Sequence, residues 1–157
     1  MAEPSTIKLS QVHDYQFEVD FGRPGMPMLR TDEPPPVGAD LGPDPASMLV
    51  AAVANCLSAS LLFAMRKFHN EPGPLSVRAH AVPTRNERNR LRIGEIVVAI
   101  RLGRDTGGMS SVDRVFSQFE DFCTVTQSVR GAIRVRVQVE SVDGALLYES
   151  GGTDAQA

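Results

Sequence analysis

Two cysteines, Cys56 and Cys123, are the residues of this 157-residue chain best suited to chemistry. A thiolate is a nucleophile, a metal ligand and a target of oxidation, and a second thiol can trap a sulfenic acid as a disulfide. The two stand 67 positions apart, so spacing alone does not bring them together. Each also has a plain reading as a small buried hydrophobe, since free cysteine is among the most buried residue types. Their settings differ. Cys56 lies in a run of small residues that lets other backbone approach closely. Cys123 lies at a junction between two helical patterns, near the amino end of the second, where free N–H groups and the helix dipole favour a thiolate.

The remaining candidates are weaker. His13, His69 and His80 share no metal-ligand spacing with one another or with a cysteine, so no metal site is expected. The glycines at 22/25 and 103/107/108 lack the lysine and hydroxyl residue of a phosphate loop and match no dinucleotide fingerprint, so they read as turns and no bound cofactor is expected. Arg85, Arg88, Arg90 and Arg92 form either a small anion-binding patch or a solvated hairpin. Glu87 and the asparagines interleave them, which favours the hairpin.

The frame around these residues is ordinary. Apolar residues make up 42% and charged residues 22% of the chain, a balance that excludes global disorder and fibrous repeats. The length favours one domain with its own core, an ordered region of about 7–149 and a small polar tail over 150–157 expected to fray. A formal charge of −3 provides no basic field for nucleic acid. Two cysteines are too few for a disulfide scaffold. The opening MAEPSTIKLS has no apolar core of a secretory signal, so a reducing cytoplasm is expected.

The pattern along the chain is α+β. Tyr15, Phe17 and Val19 alternate with polar residues as in a half-buried strand; Gly22–Gly25 makes a turn, and Met26–Thr31 reads as the returning strand. Asp32–Pro45 holds five prolines and two glycines in fourteen residues, which no helix or central strand tolerates. Asp44 then offers an N-cap and Pro45 the first helical position. Met48–Met65 runs for eighteen residues without a charge. It is shorter than the usual membrane span and carries Asn55, Ser58 and Ser60 in its middle, so it reads as a helix buried in a core or an interface. Leu75–Ala81 and Arg92–Leu102 read as strands around a tip at Thr84–Arg90, with Ile96–Ile100 apolar on both faces, as in a sheet interior. Val112, Val115, Phe116, Phe119 and Phe122 keep helical spacing, and Ser110 with Asp113 resembles a capping box. A short helical turn to Arg130 and an alternating valine strand over Ile133–Val139 follow.

Two stretches carry a resemblance. DEPPPVGADLGPDPASMLVAAVANCLSASLLFAMRKF is similar to the first-cysteine region of the OsmC/Ohr family (osmotically induced protein C and organic hydroperoxide resistance protein): a Gly/Pro-rich loop, an Asn/Asp-Pro helix start, and a cysteine about a dozen residues on. CTVTQSVRGAIRVRVQVE resembles its second-cysteine motif. The likeness spans about residues 15–142. It implies an intertwined homodimer with antiparallel sheets wrapped around central helices and active sites at the subunit interface. It also implies a stress-response thiol peroxidase: Cys56 attacks the O–O bond of an organic hydroperoxide, Cys123 resolves the sulfenic acid, and an external dithiol restores both. Arg30 stands where the family has its activating arginine, with Arg23 as fallback. The glutamate that usually follows the Asn/Asp-Pro is replaced by Ala46 and Ser47, so Glu33 is a candidate for orienting Arg30. Thr124 replaces the common proline after the second cysteine. A redox-inert relative that binds a small ligand or partner in the apolar interface is the alternative. Neither nucleic acid nor membrane is an expected partner.

Overall fold

The computed structural model describes residues 6–151. Seven strands and three α-helices occur in the order β1 (Lys8–His13), β2 (Gln16–Asp20), β3 (Leu29–Thr31), α1 (Pro45–Lys67), β4 (Ser76–Arg85), β5 (Leu91–Arg101), α2 (Val112–Gln118), a 3₁₀ turn (Phe119–Phe122), α3 (Thr124–Val129), β6 (Arg134–Glu140) and β7 (Leu146–Ser150). The chain divides into two compact units, with the boundary between Met48 and Leu49.

The first unit is a three-stranded antiparallel sheet, β1-β2-β3, followed by the proline-rich loop. The alternation at Phe17 and Val19 belongs to β2, in which Val19 is buried. Tyr15 is not part of it. Asp14, at φ 44°, turns the chain just before, and Tyr15 sits exposed in that turn. The returning strand is shorter than expected, Leu29–Thr31. The loop after it is ordered by one carboxylate. Asp32 Oδ1 accepts the Glu33 N–H at 2.8 Å, and Oδ2 accepts those of Ala39 and Leu41 at 3.1 and 3.2 Å. A side chain at Gly38 would press on Asp32 Oδ1, and one at Gly42 on the Arg30 carbonyl, which explains both glycines.

The helix start stands as read. Asp44 Oδ1 accepts the Ser47 N–H at 2.6 Å and Pro45 opens α1. The helix passes, by length and composition, for a membrane span, yet one side of it builds the core of the second unit. Val53, Leu57, Leu61, Ala64 and Met65 are buried with Ile96, Val98 and Ile100 of β5, Val135, Val137 and Val139 of β6, and Val115, Phe116 and Phe119. The opposite side, with Ala51, Ala52, Asn55, Ala59 and Phe63, is exposed.

The second sheet has the order β4-β5-β6-β7. β5 is interior, as its two-faced apolar run requires. One ladder departs from the antiparallel expectation: β5 and β6 run parallel, Glu95 to Arg101 opposite Arg134 to Glu140, with the α2–α3 segment as the crossover. Two strands lack a legible pattern and are additions, β1 and β7. Ser150 therefore ends a strand rather than beginning a frayed tail, and the Gly151 carbonyl accepts the Arg134 guanidinium at 2.6–2.8 Å. Residues 152–157 lie outside the described residues.

The capping box at Ser110 does not form. Ser111 precedes α2 at φ 54° with no side-chain cap. The Ser110 hydroxyl donates instead to the Phe68 carbonyl at 3.0 Å, while Asn70 exchanges two 2.8 Å bonds with the Ser110 backbone. That buried asparagine ties the end of α1 to the start of α2. Phe122 leaves the apolar stripe because the tighter 3₁₀ turn redirects it, and it is exposed.

Candidate thiol site

Cys56 sits three turns into α1, half-buried, between the exposed Asn55 and the buried Leu57. Burial of Val53, Leu57 and Leu61 in the core sets the rotation of α1 that leaves Cys56 half-buried beside them. Cys123 ends the 3₁₀ turn and precedes α3. Its N–H donates to the Glu120 carbonyl at 3.0 Å and its carbonyl accepts the Gln127 N–H at 2.9 Å. The side chain is wholly buried, and its thiol donates to Thr126 Oγ1 at 2.9 Å.

Cys56 and Cys123 are brought together in the second unit. Cys56 packs against the core cluster that contains Cys123, near enough to act on its ionisation. Burial pushes the Cys123 thiol up, and the neighbouring Cys56 sulfur pushes it further, against the lowering effect of Thr126. This corrects the thiolate expected at the amino end of the second helix: α3 is only six residues long, and desolvation wins. Chemically, the pair joins a half-buried cysteine to a wholly buried one whose thiol holds its proton more firmly than usual.

The brace on Cys123 leaves no mark in the sequence. Glu120 is buried, and its Oε1 accepts the Tyr148 hydroxyl at 2.8 Å and the Ser150 hydroxyl, while Oε2 pairs with Arg130. The Gln127 amide donates to the Glu120 carbonyl at 3.1 Å. Nothing in the string FEDF marks Glu120 as buried, because an acid beside aromatic residues reads as the wet face of a helix. Also unmarked is an exposed aromatic pair beside the thiols in sequence. Phe63 lies two helical turns after Cys56 and Phe122 directly precedes Cys123; their ring centroids are 6.4 Å apart.

The other predicted residues belong to the first unit. Arg30 lies on β3 directly opposite Glu18 of β2, and its Nη2 is 3.3 Å from Glu18 Oε1. The carboxylate on Arg30 is therefore Glu18 rather than Glu33, whose side chain has no ion pair among the described residues. The cross-strand register explains the choice. Arg23 lies in the exposed turn between β2 and β3, where its carbonyl accepts the Met26 N–H at 3.1 Å. His13, His69 and His80 are exposed and distributed over three separate segments.

A two-sheet α+β protein with paired thiols between a core helix and a helical junction defines the class. The chain belongs to the OsmC-like protein family, whose profile matches residues 38–138. Solved structures agree in fold. An OsmC-like protein of unknown function from Vibrio cholerae superposes with a TM-score of 0.73 at 13% identity, covering 88% of this chain and 99% of its own. An organic hydroperoxide resistance protein from Elizabethkingia anophelis gives 0.66 at 17% identity, with 90% and 99% covered. The organic hydroperoxide resistance protein OhrB of Bacillus subtilis gives 0.64 at 13%, with 88% and 98% covered. Among curated proteins, none matches the chain by sequence.

Proposed function

We propose that this chain is a thiol-dependent peroxidase that reduces organic hydroperoxides. The carrying observation is the Cys56–Cys123 neighbourhood, in which a half-buried cysteine lies beside a wholly buried one whose thiol is pushed up by burial. The Cys56 thiolate attacks the terminal oxygen of ROOH and the O–O bond breaks. The alkoxide takes a proton and leaves as alcohol, and Cys56 becomes a sulfenic acid. Cys123 sulfur then attacks the Cys56 sulfur, water leaves, and a disulfide forms. An external dithiol reduces that disulfide by exchange and is itself oxidised. No bound cofactor enters the cycle.

Arg30 is assigned as the activating cation on the family resemblance, with Glu18 as its orienting carboxylate. The exposed Phe63–Phe122 pair supplies apolar surface for the organic group of the peroxide. The exposed Ala51, Ala52, Asn55, Ala59 and Phe63 side of α1 supports a homodimer, in which the three alanines allow close helix approach. The cytoplasm, which keeps thiols reduced, is the compartment this chemistry needs. The neighbourhood of the two thiols also favours this reading over a redox-inert binding protein, which has no use for it.

The test is peroxide consumption by the purified protein with several dithiols, organic hydroperoxide against H₂O₂. Faster turnover of the organic substrate, abolished by Cys56→Ser, is the expected result. No turnover with any dithiol, together with two free thiols after peroxide treatment, overturns it. Melting that rises with protein concentration checks the dimer.

A further inference from the structure

The arginines of this protein are distributed unevenly between partnered and unpartnered. Arg78 and Arg101 share Glu140, Arg134 and Arg136 share Glu95, Arg130 has Glu120, Arg66 has Glu71 and Arg30 has Glu18. Seven arginines have no ion pair among the described residues. Four of these, Arg85, Arg88, Arg90 and Arg92, stand within eight residues at the tip of the β4–β5 hairpin. The same tip encloses an open depression of about 690 Å³, lined by those four with Asn86 and Glu87. Like charges held this close repel one another unless an anion lies between them.

The tip is also built to hold its shape. Asn86 Oδ1 accepts the N–H groups of Arg88 and Arg90 at 3.1 and 2.9 Å, and Asn89 closes the turn at φ 58°. Arg85 Nη1 donates to the Asn89 carbonyl at 2.9 Å and Arg92 Nη1 to the Leu91 carbonyl at 2.7 Å. Each of these contacts uses one of a guanidinium's five N–H donors. Two of the four side chains are thus pinned by backbone, which lowers the ordering entropy of binding while most of their donors stay free.

We propose that the β4–β5 tip is a binding site for a chain of adjacent phosphates, as in inorganic polyphosphate or the tail of a nucleoside triphosphate. One phosphate is satisfied by one or two bidentate guanidinium contacts. Four guanidinium groups around one depression match several adjacent anionic centres. The tip has no aromatic residue on which a base could stack, which disfavours single-stranded nucleic acid. It has one exposed aliphatic residue, Leu91, too little apolar surface to anchor in a bilayer.

The test titrates the full-length protein with inorganic tripolyphosphate and, separately, ATP, by calorimetry at fixed salt. Saturable binding is expected, about tenfold weaker in Arg88→Ala and in Arg90→Ala, the loss of one charge-assisted contact. Glu87→Gln, which removes the one opposing charge, is expected to strengthen binding. Arg104→Ala, an unpaired arginine outside the tip, is expected to leave it unchanged. Equal affinity for both ligands assigns recognition to the phosphate chain alone, and tighter ATP binding adds a contact to the nucleoside. No saturable binding, or equal weakening by Arg104→Ala, overturns the proposal. So does tighter binding of single-stranded DNA, or of vesicles rich in anionic lipid, than of tripolyphosphate.

Discussion

The hydroxyl of Tyr148 donates to Glu120 Oε1 at 2.8 Å, joining the last strand to the turn that positions Cys123. The Tyr148 ring packs on Phe116 and Phe119, each at a centroid distance of 5.6 Å. Glu120 thus serves the thiol twice. Its carbonyl holds the Cys123 N–H, and its carboxylate ties Arg130 at the far end of α3 to β7. Glu120→Ala leaves two hydroxyls and a partly exposed guanidinium without their acceptor. A loss on the order of 2 kcal/mol is expected by chemical denaturation. Glu120→Gln, which keeps an acceptor, should lose less. Equal losses for the two would mean that packing, not hydrogen bonding, is what Glu120 provides.

Tyr148 gives the same cluster a signature at high pH. Burial, and then the Glu120 carboxylate that accepts the hydrogen bond from its hydroxyl, push its pKa up to about 12. A phenol raised in the folded state binds its proton there more tightly than in the unfolded chain. Its contribution is therefore complete below the ordinary pKa near 10 and declines as pH rises from about 10 to 12. Tyrosinate absorbance in Tyr15→Phe should titrate late in the native protein and near 10 after unfolding. A single titration at the same pH in both states would refute the buried contact.

Asp32 behaves in the opposite sense. Burial raises its carboxyl, but the N–H groups of Leu41, Ala39 and Glu33, with the Gln16 side chain, lower it further and leave it below the usual value. Stability from this group is present above the unfolded pKa and lost as pH falls through the lowered one. Asp32→Ala removes the acceptor for three loop N–H groups. Its melting temperature should fall measurably at pH 7, and the gap from wild type should close toward pH 3. A gap that stays constant down to that pH would show that the carboxylate charge is not what orders the loop.

Much of this was readable in advance, for physical reasons that differ from element to element. β5 is marked by its run of apolar, largely β-branched residues, β6 by valines alternating with polar residues, and α1 by Asp44-Pro45 and its eighteen uncharged residues. β1, KLSQVH, is exposed throughout, so no burial pattern could mark it, and β7, LLYES, sets its apolar residues side by side and shows no alternation. The capping box failed because the Ser110 hydroxyl found the Phe68 carbonyl, a partner 42 residues away. The two cysteines were visible by type. Their neighbourhood, the protonation of Cys123 and the brace at Glu120 were not, because each depends on which chain segments exclude water, and that is decided by tertiary packing.

Arg30 carries the part of the proposed cycle that rests on resemblance. A cation beside a thiolate stabilises its charged form, and Glu18 opposite Arg30 fixes the guanidinium on β3. Arg30→Ala should slow the peroxide step at Cys56. Glu18→Gln should slow it less, because the arginine stays charged but is less well held. Equal peroxide rates for wild type and Arg30→Ala would pass the role to Arg23 or remove it altogether.

The two thiols should differ in reactivity and fate. Cys123 is wholly buried, its proton held more firmly than an ordinary thiol's and donated to Thr126. Cys56 is only half-buried on α1. Limiting iodoacetamide should therefore label Cys56 first, with Cys123 modified only on unfolding. One equivalent of organic hydroperoxide should give a single intramolecular disulfide, since a neighbouring thiol traps the sulfenic acid before a second peroxide reaches it. In Cys123→Ser that trap is gone, and the same treatment should carry Cys56 on to the sulfinic acid as peroxide is raised. Peptide mass mapping distinguishes the cases. Wild-type protein in which Cys56 becomes sulfinic or sulfonic acid while Cys123 stays reduced would mean that Cys123 does not resolve the sulfenic acid, and the two-cysteine cycle would fall.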